Sequence, residues 1–354
     1  MMHLKLNYIL FSLCVLSTNN YVFSELITLT AIGAATAIGG ASLFKWGPLI
    51  KDNTICRYME CCNEAYIPYD LEKLKQSFEQ KLIGQPLAGE LVNILRAHKE
   101  AMLDGSKPNK KALVISIHGL SGVGKNYAST LIAEALYKEG MHSKFVKVFM
   151  GSTDFDCTDV QKSREKFITI IRKMVNACRK PLIIIDEIHH MCPSVLDAIK
   201  PMVDHHHAVD GVDFRDSVFI FISNTGGKEI ADNLLDLYVQ GVKRNSVEFN
   251  QFEPTIRRIA YRQGGFEKAA IVAHHLIDHY IPFLPLEQYH IDLCAMAAFR
   301  DNGILQPTEE MLDDAFSVIT YGPTESQPIF ANNGCKRFTK HIPYVIEKHK
   351  QKNK

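Results

Sequence analysis

Apolar runs recur along the middle of the chain at residues 112–118, 144–150, 181–186 and 217–223, and longer stretches with helical spacing separate them. These runs are continuously apolar, without strict alternation, as expected of strands buried on both faces. Strands that alternate with helices predict a parallel sheet flanked by helices, an α/β fold. A further helical stretch opens at Leu71. Beyond Leu286 the strand-like runs stop, and residues 289–300 and 308–320 have helical spacing. The pattern therefore predicts a large α/β domain over residues 51–286 and a small C-terminal helical domain over 287–354.

The first fifty residues depart from this pattern. Residues 1–24 read as a secretory signal peptide, with Lys5 as the positive flank, 6–16 as the apolar core and Val22-Phe23-Ser24 as the exit. That core is shorter than the ~20 residues a spanning helix needs. Residues 25–50 then form a hydrophobic, membrane-associating segment. Its uncharged stretch, 26–44, ends at Lys45-Trp46 and is long enough to span a bilayer, or to lie as a hairpin or in the interface. A mitochondrial presequence would be rich in arginine, and no arginine precedes Arg57.

Composition narrows the partners. At 354 residues, 46% hydrophobic and 22% charged, the chain is an ordinary globular protein with room for two domains. A net charge of +1 offers no basic field for phosphate backbones, so no nucleic-acid partner is expected. Of nine cysteines, Cys14 falls inside the signal and eight remain, an even number that suits an oxidising compartment. Eight cysteines allow roughly a hundred pairings, so spacing alone fixes none of them. No Asn-x-Ser/Thr acceptor is present.

The chemistry concentrates in two motifs. Gly119-Leu120-Ser121-Gly122-Val123-Gly124-Lys125-Asn126 follows one predicted strand and opens a helix over 127–138, the context in which a glycine-rich loop cradles phosphate. The glycines let backbone N–H groups turn inward, the helix N-terminus adds partial positive charge, and Lys125 is the point charge for the β- and γ-phosphates. Ser or Thr ordinarily follows the lysine as a magnesium ligand; here Asn126 stands there. Pro181-Leu182-Ile183-Ile184-Ile185-Asp186-Glu187 delivers two carboxylates to a strand's C-terminal end, where open α/β sheets bind ligands. In this reading Asp186 holds Mg²⁺ through water and Glu187 activates the attacking water of ATP hydrolysis. A third run, 217–223, ends in Asn224. Consecutive histidines at His189-His190 and 205–207 point in different directions and read as exposed surface rather than as a zinc site.

Taken together these residues resemble the torsins, AAA+ ATPases of the endoplasmic reticulum lumen and nuclear envelope related to Clp-type ATPases. The likeness runs from about Cys56 to the C-terminus. It rests on Asn126 after the loop lysine, on Cys56, Cys61 and Cys62 ahead of Leu82-Ile83-Gly84-Gln85, on Pro282-Phe283-Leu284-Pro285-Leu286-Glu287, and on Gly334-Cys335-Lys336. The resemblance implies an AAA+ P-loop fold that uses ATP and Mg²⁺. Asn224 would position the lytic water, and Lys336 would reach the γ-phosphate from the small domain. It also implies disulfides Cys294–Cys335 and Cys56–Cys178, with Cys157 and Cys192 unassigned. Clp-type enzymes carry an arginine just before the domain junction and an aromatic-Val-Gly pore loop. Residues 274–285 hold no arginine, and residues 151–171 hold no such loop. The resemblance therefore implies a slow ATPase at the ER membrane that remodels protein or membrane assemblies. Its partner would be the lumenal domain of a transmembrane activator resembling lamina-associated polypeptide, and a homo-oligomer is a further possibility. The competing reading is a self-sufficient Clp-like unfoldase or chaperone.

Overall fold

The structure is a computed structural model that describes Cys56 and residues 58–324 and 327–352. The expected signal peptide and the hydrophobic segment 25–50 lie outside the described residues. Contacts divide the chain into Met1–Cys61 and Cys62–Lys354. Within the first part, Cys56 and Cys61 are joined by a disulfide.

The four apolar runs and a fifth strand that the pattern does not mark form a five-stranded parallel sheet: β1 (Leu113–Gly119), β2 (Val146–Met150), β3 (Leu182–Asp186), β4 (Val218–Ser223) and, unmarked, β5 (His279–Phe283), in the order β2-β3-β4-β1-β5. All residues of β1, β3 and β4 are buried. Successive side chains of a strand face opposite sides, and the sheet accordingly separates two cores. Ile115, Ile117, Ile184, Ile220 and Ile222 enter one. Val114, Ile183, Ile185, Phe219 and Phe221 enter the other. This explains why the strands read as unbroken apolar runs. Each fully buried Ile or Phe contributes ~1.5–3 kcal/mol through the water it sheds.

Helices cover both faces. On the first lie α1 (Leu71–Lys81), α2 (Gly89–Leu103) and α3 (Lys125–Leu136); on the second lie α4 (Val160–Ala177), α5 (Gly227–Val239) and α6 (Glu253–Ala260). Asp70 and Asp159 cap α1 and α4 by accepting from Lys73 and Lys162 backbone N–H groups. Past β5 come α7 (Gln288–Asp301), α8 (Glu309–Phe316) and α9 (Phe338–Lys352). Their apolar faces (Ile291, Phe299, Ala315, Phe338, Ile342) join the first core.

Two further features differ from the sequence pattern. Strands do not stop at Leu286, because β6 (Tyr321–Thr324) and β7 (Gln327–Ala331) pair as an antiparallel hairpin between α8 and α9. The expected Cys56–Cys178 bond is also absent. Cys178, at the C-terminal end of α4, is bonded to Cys62 at a Cα separation of 5.4 Å. A cysteine forms one disulfide, and Cys56 closes a five-residue loop with Cys61 instead. Cys157 pairs with Cys192, and Cys294 with Cys335. Among the described residues, no helix is long and apolar enough to cross a membrane.

Candidate nucleotide site

Parallel pairing brings the C-terminal ends of the strands to one edge. His118 lies opposite Ser223 across β1 and β4, and Met150 opposite Asp186 across β2 and β3. The segments that follow β1, β3 and β4 therefore converge, and they carry the residues singled out in the sequence. A cavity of about 540 Å³ opens there, lined by Ser121, Gly122, Val123, Gly124, Lys125, Asn126, Asp186, Glu187 and Asn224. Leu82, Ile83, His189, Cys335 and Lys336 are also on its walls.

The loop after β1 is shaped by its glycines. Gly122 and Gly124 have φ of 79° and 101°, values that favour glycine, and Gly124 leads directly into α3. Gly119, the last residue of β1, has no room for a side chain: a Cβ there would lie 2.5 Å from the Phe283 carbonyl oxygen. Leu120 is partly buried against the core, and Val123 is buried. The first turn of an α-helix has backbone N–H groups without intrahelical partners, and this makes the start of α3, directly after Gly124, a candidate anion site.

Lys125 is buried, and its ammonium donates to the carbonyls of Gly119 (2.8 Å) and Leu120 (2.7 Å) and to Asn224 Oδ1 (2.8 Å). Burial pushes its pKa down to about 8; Asp186 opposes that shift and Lys336 adds to it. A lysine held this way has already lost most of its water, so phosphate oxygens can replace carbonyls with little further desolvation of the ammonium itself.

Asn126 and Asp186 are in direct contact, the amide donating to Asp186 Oδ2. Asp186 also accepts from the Glu187 backbone N–H at 2.8 Å. Burial raises the Asp186 pKa, and these two hydrogen bonds counter the rise. One carboxylate beside one amide, with room for phosphate, suits Mg²⁺, which binds through one or two carboxylates plus phosphates and water. With its amide turned over, Asn126 would offer its oxygen beside the Asp186 carboxylate to such an ion.

Glu187 adopts a left-handed conformation at φ 52°. A residue other than glycine holds it at a cost of ~1–3 kcal/mol, and such strain clusters at functional sites. Gly151 accommodates this turn, since a Cβ on it would lie 2.3 Å from the Glu187 carbonyl oxygen. Ser152 Oγ donates to the Glu187 carboxylate. His189 accepts from the Asn224 backbone N–H at 3.4 Å, and burial lowers its pKa.

Lys336 lies in a short 3₁₀ turn, Gly334–Arg337, just before α9. The Cys335 backbone N–H donates to the Gly122 carbonyl at 3.1 Å. The buried Gln85 side chain donates to the carbonyls of Val123 (3.0 Å) and Leu284 (2.9 Å) and accepts from the Leu284 N–H (2.8 Å). That amide ties the segment before α2 to both the glycine loop and the end of β5. Sequence reading placed the glycine loop, Asp186, Glu187, Asn224 and Lys336 in one site, and the structure brings them to one cavity. It read His189, half-buried on the cavity wall, as exposed surface, and it missed His118, whose only local signal was its place beside the glycine loop, and Ser152, which had none.

A parallel sheet in this order, a glycine loop between β1 and α3, and paired acids ending β3 define the AAA+ class of P-loop folds. Hsp104, solved in a closed state with ATPγS and FITC-casein, is similar at a TM-score of 0.51 and 12% identity. The match covers 78% of this chain and 46% of that one, so the chain spans about half the length of that Hsp104 chain and the likeness speaks to the fold alone. Within this class the relationship is closer. A torsin-like protein of Drosophila melanogaster is 35% identical over 316 residues, covering 87% of this chain and 91% of its own. One of Caenorhabditis elegans is 32% identical over 339 residues, covering 94% and 93%. The torsin family model matches residues 56–185. The chain belongs to the torsin family.

Proposed function

We propose that this chain binds and hydrolyses ATP with Mg²⁺ in the endoplasmic reticulum lumen and nuclear envelope. It remodels protein or membrane assemblies there, switched on by the lumenal domain of a membrane-anchored partner. The observation that carries the reading is the convergence on Lys125: its ammonium bridges the glycine loop and Asn224, while Asp186, Asn126 and Glu187 stand on the same cavity. Lys125 and the loop N–H groups bind the phosphates, and Asp186 with Asn126 would hold Mg²⁺. When bound, that ion offsets charge on the phosphate oxygens. Glu187 accepts the proton of the attacking water, and Asn224 orients that water. Residues 287–354 act as the lid that brings Lys336 to the γ-phosphate, and residues 51–286 are the large domain.

Partner dependence rests on a count of charges. Residues 274–285 contain no arginine. Arg257 is engaged with His275, while Arg258 and Arg262 are exposed. A trans-acting arginine is worth ~10³–10⁵ in rate where one is used. Purified chain should therefore turn over slowly, and Glu187→Gln with ATP should capture the activating partner. Activation that is lost when one arginine of that partner is replaced supports the reading. Fast turnover by the chain alone, abolished by substituting Arg257, Arg258 or Arg262, would overturn it in favour of a self-sufficient unfoldase.

A further inference from the structure

We infer that His118 is a positioning residue for hydrolysis: its imidazole fixes the segment that sets Asn224 against Lys125. The inference rests on the ATPase reading and adds to it a residue that none of the nucleotide motifs includes.

His118 is the residue before Gly119 in β1, and it is fully buried. Its Nδ1 lies 2.8 Å from the Thr225 carbonyl oxygen. A carbonyl can only accept, so Nδ1 carries the proton. Its Nε2 lies 2.7 Å from Ser116 Oγ, and in the neutral ring that nitrogen accepts from the hydroxyl. The two contacts thus select one neutral tautomer. Burial supports the same state, pushing the pKa down to about 4. Ser116 and His118 share a face of β1 by strand alternation, and the ring is wedged against Phe266 and Tyr280 at centroid distances of 6.0 and 5.9 Å. The imidazole has little freedom to turn.

Thr225 directly follows Asn224, whose Oδ1 takes a hydrogen bond from Lys125 at 2.8 Å. The segment has other anchors: the Thr225 N–H donates to Ser223 Oγ, and the Gly227 N–H to the Asn224 carbonyl. Gly227 also packs on the Gly119–Leu120 peptide, where a Cβ would meet the Gly119 carbonyl carbon at 2.8 Å. Among these polar ties, the His118 bond joins the residue after Asn224 to the strand that carries the glycine loop. Loop and water-orienting residue are thereby held in one frame, and their relative position is what a hydrolytic geometry requires.

The test uses the full chain and three measurements: affinity for ATP, affinity for ADP, and the single-turnover rate of ATP hydrolysis. His118→Phe keeps the ring volume and removes both hydrogen bonds. Affinity for ADP should stay within about threefold, while hydrolysis slows by ~10–100-fold, the scale of a misplacement near 1 Å. His118→Asn restores a donor at the Nδ1 position and should recover most of the rate. Ser116→Ala, which leaves the ring in place, should give a smaller loss and serves if His118→Phe does not fold. On an Asn224→Ala background His118→Phe should add nothing further, because the ring acts through that residue. Equal rates in His118→Phe and the unsubstituted chain overturn the assignment. So does a loss of ADP affinity in step with rate, or full additivity with Asn224→Ala. If the unsubstituted chain neither binds nor hydrolyses ATP, the ATPase reading itself falls and takes this one with it.

Discussion

Gly122 of the glycine loop and Gly334 of the C-terminal turn meet with no space for a side chain on either. A Cβ on Gly122 would lie 2.0 Å from the Asn333 carbonyl oxygen, and one on Gly334 would lie 2.3 Å from the Gly122 carbonyl oxygen. Cys335, next to Gly334, is bonded to Cys294 of α7. The disulfide thus fixes the turn that touches the phosphate loop. Reducing it, or replacing Cys335 with Ser, should change ATP and ADP affinities by several-fold, within the ~5–150-fold span of typical site coupling. Titrations with and without reductant measure this, and equal affinities under both conditions would rule it out.

Lys125 and Glu187 should separate binding from chemistry. ATP at 100 times its dissociation constant adds about 2.7 kcal/mol to the unfolding free energy. Lys125→Ala should abolish that gain, because the phosphates lose their buried cation. Glu187→Gln should keep it and hydrolyse ~10²–10⁴-fold more slowly. Melting curves with and without ATP, read beside phosphate release, distinguish the two.

Acid should expose the buried imidazole of His118. Its folded pKa, about 4, lies below the ordinary 6.5. Between those values the unfolded chain binds a proton that the folded chain does not. The contribution is therefore fully present above pH 6.5 and is lost as pH falls towards 4. At pH 5 the loss from this group is about 2 kcal/mol relative to neutral pH. His98, buried with a lowered pKa, adds in the same direction. Denaturant unfolding at pH 7 and pH 5 should show a smaller difference for His118→Phe than for the unsubstituted chain.

Peptide mapping without reduction should recover Cys62 linked to Cys178 and Cys56 linked to Cys61. Cys56→Ser should leave the Cys62–Cys178 peptide intact. Cys178→Ser should destabilise the fold by about 2–5 kcal/mol, since that bond closes a loop of 116 residues. A fragment holding the Cys56 and Cys178 peptides joined to each other without the Cys61-Cys62 peptide would contradict this connectivity.

What the sequence revealed is what local order encodes. The glycine loop and the Asp186-Glu187 pair lie beside the strands that place them, so strand–loop–helix spacing located both. Strand β5 was harder to read, because His279 and Pro282 interrupt its apolar character. The β6–β7 hairpin was obscured by Gly322 and Pro323, which read as breakers. Ser152 meets Glu187 across 35 positions, and His118 meets Thr225 across 107. Such partnerships exist only once the sheet has formed, and no periodicity announces them. The cysteines show the same limit: Cys61 and Cys62 are neighbours in sequence, yet they bond to partners 5 and 116 residues away.

That last contrast bears on how the chain is made. At a synthesis rate of ~5–20 residues per second, Cys62 waits on the order of ten seconds before Cys178 exists. Through that interval Cys56 and Cys61 are already present, a few residues upstream. A bond set by first encounter among these three would often include Cys62, and Cys178 would then emerge to find its partner taken. The native bond requires Cys62 to be free, or freed again by exchange, when α4 docks with Cys178 buried at its end. The helix, arriving late, decides the pairing.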